Sequence, residues 1–178
     1  FSKIAKNSPL PIIVYNVPSR TGSSVNPSTF IRLCKNNENI YAIKESSGDL
    51  SNATEIINKS SSEIQVISGD DAMTLPMILA GGVGTISVLA NALPKPIVNL
   101  FNHVKNGNLN EAYHLNHSLM DMIRLLFEEG NPVGIKGLLE LMGTCTKKVR
   151  LPLVSASSDL VSKMEEVLKN SIFKIWGN

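Results

Sequence analysis

Over the first half of the chain, short apolar runs that end in small or polar residues alternate with amphipathic stretches. Ile12-Ile13-Val14-Tyr15, Tyr41-Ala42-Ile43-Lys44, Ile64-Gln65-Val66-Ile67-Ser68 and Gly84-Thr85-Ile86-Ser87-Val88-Leu89 read as four strands. The first is continuously apolar, the pattern of a strand covered on both faces. In the second, period-two alternation puts Ala42 and Lys44 on one face and Tyr41 and Ile43 on the other.

The intervening stretches read as helices. Residues 1–8 look like the end of a helix, and Asn26-Pro27 opens another over 27–35 by pairing a cap with a first-turn proline. Asp49 or Ser51 caps a third, which buries Leu50, Ala53, Ile56 and Ile57. Residues 72–80 form a short helix interrupted by Pro76 and stopped by Gly81-Gly82. Strand and helix in strict alternation predict right-handed βαβ units and a parallel sheet, either a barrel or an open doubly wound sheet.

After Asn91 the strand signal ends. Helices are expected over 96–105, 109–129, 132–142 and 159–170. The longest carries Leu115, Leu119, Met122, Ile123 and Leu126 at helical spacing. The expected division is a sheet-bearing part over 1–107 and a helical domain over 108–178.

Composition narrows the function classes. Of 178 residues, 43% are hydrophobic and 18% charged, as in a globular protein. The formal charge of +2 contains no basic run, so neither nucleic acid nor an anionic membrane is expected as a partner. No apolar segment approaches the ~20 residues of a membrane span, and a cytoplasmic location is expected. Cys34 and Cys145 have no metal or redox spacing and read as buried reduced thiols.

In parallel α/β folds the chemistry sits at the carboxyl ends of the strands. That places Lys44 at the centre. Its amine either reaches solvent at the strand tip or, held neutral, acts as a nucleophile that forms a Schiff base with a carbonyl. Tyr15, on the neighbouring strand and sharing a face with Ile13, is placed to meet Lys44 through its hydroxyl. It is either a buried tyrosine with a hydrogen bond or a proton relay. Arg20, in the loop expected over 16–22, is a surface arginine or, if it faces inward, a bidentate clamp for a carboxylate.

Other features read as structural. Asp70-Asp71 begins a helix and is better explained by capping than by metal binding. Gly81-Gly82-Val83-Gly84 precedes a strand, which places it at the end opposite the chemistry. His114 and His117 share a helix face, but no carboxylate motif accompanies them.

Four segments in order, Tyr15-Asn16-Val17-Pro18-Ser19-Arg20-Thr21-Gly22, Ile43-Lys44-Glu45-Ser46-Ser47-Gly48-Asp49, Ser68-Gly69-Asp70-Asp71 and Gly81-Gly82-Val83-Gly84-Thr85-Ile86-Ser87, carry a further signal. With them the chain resembles the dihydrodipicolinate (4-hydroxy-tetrahydrodipicolinate) synthase family of the pyruvate-dependent aldolase/lyase superfamily. The stretch from Asn131-Pro132 to Gly143 and Arg150-Leu151-Pro152-Leu153 also resemble its helical tail. The resemblance implies an α/β fold, the second half of a (β/α)8 TIM barrel with four parallel strands and helices, followed by a C-terminal helical domain.

The same resemblance implies that Lys44 forms the Schiff base with pyruvate and that Tyr15 relays protons. It further implies that Arg20 holds the carboxylate of aspartate 4-semialdehyde, while the backbone at Gly69 and Ile86 lines the pyruvate site. No metal or organic cofactor is expected. A homo-oligomer is implied, a tetramer built as a dimer of dimers. Four strands are half of the family's barrel, so a missing N-terminal half is an expected partner. Two other readings stay open. One is a sibling such as an N-acetylneuraminate lyase or keto-deoxy sugar-acid aldolase, which generally differ at the Arg20 position. The other is a non-catalytic half-barrel.

Overall fold

The computed structural model of the chain describes residues 1–61 and 63–169. Its backbone divides between Ser87 and Val88 into two compact units.

In the first unit, α1 (Ser2–Asn7), β1 (Ile12–Asn16), α2 (Pro18–Thr21), α3 (Pro27–Asn36), β2 (Ile40–Glu45), α4 (Leu50–Lys59), β3 (Gln65–Ser68), α5 (Thr74–Leu79) and β4 (Gly84–Thr85) follow in that order. The strands form one parallel sheet in the order β1-β2-β3-β4. Helix starts follow the capping chemistry. The Asn26 side chain accepts from Ser28 N–H ahead of Pro27, and the Asp49 side chain accepts from both Ser51 and Asn52, so Asp49 rather than Ser51 is the cap.

The register pairs Val14 with Ile43 and Ile43 with Val66, and these side chains pack with Phe30, Ala53, Ile56 and Met77 into one core. The core lies between the sheet and the amphipathic helices. The other sheet face carries Ile13 and Tyr15, which are 38% and 45% exposed. Within the described residues, one face of β1 meets the unit's hydrophobic core and the other does not.

Several local expectations are corrected. The loop expected over 16–22 contains α2, a single turn that starts at Pro18 and is stopped by Gly22 in the left-handed region at φ 68°. Pro76 does not interrupt α5. It stands third in the helix, where its absent N–H removes no intrahelical bond. Asp70 does not cap that helix. Its carboxylate accepts from Ala72 N–H, 2.9 Å away, and Met73 occupies the cap position instead. The fourth strand is only Gly84–Thr85, since its neighbour β3 ends at Ser68 and Gly69 N–H turns to Glu45. Cys34 is buried as expected, but Cys145 is exposed.

The second unit is helical. A 3-10 turn (Leu89–Asn91) leads to α6 (Pro94–Lys105), α7 (Leu109–Glu128), α8 (Val133–Leu141) and α9 (Ser158–Lys169). Leu119, Met122, Leu126, Leu138, Leu160 and Met164 are all fully buried, so the helical periodicity has closed a core. The last expected helix position, Asn170, lies outside the described residues. Ser157 N–H donates to Glu129, and Ser157 Oγ accepts from Leu160 N–H at the start of α9. Lys163 bridges Asp159 and Glu128 at 2.8 and 2.7 Å, and these two carboxylates hold its ammonium above the ordinary range. Among the described residues, no helix is long and apolar enough to cross a membrane.

Candidate active site

The ladder between β1 and β2 places Tyr15 directly opposite Lys44. Neighbours in register share a sheet face, so both side chains rise from the side away from the helix-packed core. The Lys44 Nζ lies over the Tyr15 ring, 4.2 Å from its centroid. The contact expected through the phenol hydroxyl is therefore made by the ring face instead. Its quadrupole attracts a cation and fixes where the lysine stem lies.

The other wall of the lysine is Gly69, the first residue after β3. A Cβ built there would stand 2.5 Å from Lys44 Cε and 2.8 Å from Lys44 Cγ, and would also collide with Ser46 Oγ. Only glycine leaves room for the Lys44 stem at this position. Its backbone is fixed by Gly69 N–H donating to Glu45 C=O at 2.8 Å. Lys44 thus runs between an aromatic face and a bare backbone, with its amine at the open end.

Arg20 lies on α2, the turn that directly follows β1, and is exposed at the strands' carboxyl end. Ile86 lies just past β4, where its N–H donates to Ser68 C=O at 2.8 Å, and its side chain is 45% exposed. Tyr15, Lys44 and Gly69 are in direct contact. Arg20 and Ile86 are brought to the same end of the sheet by the elements that carry them.

Two buried polar groups were not singled out from the sequence. Asn16 and Glu45, each 1% exposed, follow Tyr15 and Lys44 and form the next register pair. Asn16 Nδ2 donates to Glu45 Oε2 at 2.8 Å, Ser47 N–H donates to Glu45 Oε1 at 2.7 Å, and Val25 N–H donates to Asn16 Oδ1 at 2.9 Å. Period-two alternation turns this pair toward the core side of the sheet. Its only trace in the sequence is a polar residue directly after each catalytic candidate.

At the end of β3, hydroxyls do similar work. Ser68 Oγ donates to Asp70 C=O at 2.8 Å, and Thr85 Oγ1 donates to Ser68 C=O at 3.2 Å. These bonds hold the turn that contains Gly69. No group of three or more His, Cys, Asp or Glu among the described residues is placed to hold a metal ion. Gly81-Gly82 serves to close α5. Gly81 takes φ 107°, and Gly82 N–H donates to Met77 C=O at 2.8 Å.

The parallel sheet and the helical unit that follows it match known proteins. The model of the dihydrodipicolinate synthetase family matches residues 1–171. The chain belongs to that family. It is 45% identical over 166 residues to 4-hydroxy-tetrahydrodipicolinate synthase of Cytophaga hutchinsonii, covering 93% of this chain and 56% of that relative.

Crystal structures of family members superpose closely. Dihydrodipicolinate synthase from Thermotoga maritima matches with a TM-score of 0.93 and 36% identity, over 97% of this chain and 59% of that one. The chloride-inhibited enzyme from Acinetobacter baumannii, complexed with pyruvate, matches with a TM-score of 0.89 and 33% identity, over 94% of this chain and 57% of that one. The chain therefore spans a little over half the length of these family members. The fold is the expected one, the parallel α/β half of the family's barrel followed by its helical domain.

Proposed function

We propose that the full-length protein containing these residues condenses pyruvate with aspartate 4-semialdehyde to give 4-hydroxy-tetrahydrodipicolinate. The observation that carries this reading is the Lys44 amine held over Tyr15, with the lysine stem against Gly69, at the carboxyl end of the sheet. Support for the first substrate comes from the Acinetobacter relative, which was crystallised with pyruvate.

In this reading the Lys44 amine adds to the pyruvate ketone and water leaves, giving a protonated imine. The imine is an electron sink, so a methyl proton is lost and an enamine forms. Tyr15, beside the amine, relays these protons. The enamine carbon bonds to the aldehyde carbon of the semialdehyde, whose oxygen takes up a proton. The semialdehyde's own amine then adds to the imine carbon and releases Lys44 as the ring closes. Arg20 binds the semialdehyde carboxylate, and the backbone at Gly69 and Ile86 lines the pyruvate position. Neither a metal nor an organic cofactor takes part. Family likeness also supports a cytoplasmic homotetramer, a dimer of dimers, with an N-terminal half completing the barrel.

The test is a condensation assay on the full-length protein with pyruvate and either aspartate 4-semialdehyde or a neutral sugar aldehyde. The semialdehyde is expected to be strongly preferred. Replacing Arg20 with alanine should lower kcat/KM for the semialdehyde by roughly ten- to a hundredfold, the worth of one charged hydrogen bond to a carboxylate. Preference for the sugar aldehyde, or an Arg20→Ala protein with unchanged kinetics, would contradict the proposal.

A further inference from the structure

We propose that Asn16 and Glu45 are positioning residues that set the strand register on which the Tyr15–Lys44 pairing depends. The inference rests on reading Lys44 as the imine-forming lysine. It starts from geometry: Tyr15↔Lys44 and Asn16↔Glu45 are consecutive register pairs on opposite sheet faces. One pair meets at the open face, and the other is sealed beneath it.

Glu45 is buried, yet its carboxylate is met by two neutral donors, Asn16 Nδ2 and Ser47 N–H, and by no lysine or arginine within ion-pair distance among the described residues. A carboxylate desolvated on these terms contributes little net stability. What it does is join three segments: the end of β1, the end of β2 and the loop that follows Lys44. Asn16 adds a fourth through Val25 N–H, ahead of α3. Backbone bonds from Ser46 N–H to Asn16 C=O and from Gly69 N–H to Glu45 C=O complete the clamp at 2.9 and 2.8 Å.

Register matters because a one-residue slip moves a strand by about 3.3 Å and inverts its side chains. Even part of such a slip would carry the Lys44 amine, now 4.2 Å from the Tyr15 centroid, off the ring. The core beneath is apolar at Val14 and Ile43, and apolar contact is non-directional. The directional bonds of Asn16 and Glu45 fix the strand tips.

The hydrogen bonds also define a swap that preserves them. In Asn16→Asp/Glu45→Gln, the carboxylate now on β1 accepts from Val25 N–H and from the new amide on β2, while the amide oxygen accepts from Ser47 N–H. Total charge is unchanged. Each single change breaks the pattern: Asn16→Asp sets two carboxylates face to face, and Glu45→Gln leaves two donors competing for one oxygen.

The experiment uses full-length wild type, both single variants and the swap, each shown to be folded by circular dichroism. It measures the first-order rate of borohydride trapping of pyruvate on Lys44 at saturating pyruvate, together with the pyruvate KM. The single variants should trap about ten- to a hundredfold more slowly with little change in KM, the cost of misplacing a reacting group by a fraction of an ångström or more. The swap should recover to within about threefold of wild type. If Asn16→Asp does not fold, Glu45→Gln and the swap still decide the matter. Single variants that melt earlier but trap at the wild-type rate would overturn the inference, as would a swap no faster than Glu45→Gln. Wild-type protein with no Lys44 adduct is a separate outcome that overturns the imine reading and this inference with it.

Discussion

The two units use burial in opposite ways. In the helical unit the apolar faces of α7, α8 and α9 are sealed, with Leu126, Leu138 and Leu160 fully buried. In the sheet unit one face of the strands is equally sealed, while the other leaves Ile13 and Tyr15 open beside Lys44. Glycine shows the same contrast. Gly134 admits the backbone of Leu126, where a Cβ would stand 2.7 Å from both the Leu126 Cα and carbonyl carbon. Gly69 admits the flexible stem of Lys44. One close approach serves helix packing, the other the side chain proposed to react, and matched substitutions should separate stability from activity.

The largest effect is expected at Lys44. On the proposed reading, Lys44→Met in the full-length protein removes the nucleophile and should lower condensation by on the order of a thousandfold or more. Lys44 is not part of the buried core, so the melting temperature should stay close to that of wild type. A coupled assay and thermal melt on the same preparation check both halves.

The glycine pair comes next. Gly134→Ala forces α7 and α8 apart against rigid backbone and should cost about 1–3 kcal/mol or more in a denaturant titration, with kcat per folded molecule nearly unchanged. Gly69→Ala meets a movable side chain, so its cost should appear chiefly as a roughly tenfold or greater loss of kcat. A reversal of the two patterns would break the comparison.

The smallest effect belongs to Cys34. Burial pushes its thiol from 9.0 up to about 11, with backbone hydrogen bonding opposing the shift. The folded state therefore holds the proton more tightly than the unfolded chain. The resulting stability is full below pH 9 and is lost as the pH rises through about 11. Thermal melts across that interval should fall more steeply for wild type than for Cys34→Ala. At a given pH the raised value also means about a hundredfold less thiolate, so an alkylating reagent should label exposed Cys145 well before Cys34.

Much of the sheet unit was legible because its signals are local. Apolar runs marked the strands, Asn26-Pro27 and Asp49 marked helix starts, and alternation put Tyr15 and Lys44 at neighbouring strand ends. The errors arose where non-local structure decides. The length of β4 is set by where β3 stops. Asp70 looks like a cap for the next helix, yet its acceptor is used within its own turn. Asn16 and Glu45 look in the sequence like ordinary polar residues after two strand ends. Their meaning lies in a hydrogen bond between two strands, which no spacing along the chain displays.

The measurement that bears most directly on the account is the location of the covalent adduct. Full-length protein is incubated with pyruvate, reduced with borohydride, digested and mapped by mass spectrometry. The account predicts a single reduced pyruvate adduct on Lys44, absent when pyruvate is omitted. An adduct on another lysine such as Lys136, with Lys44 unmodified, would contradict it.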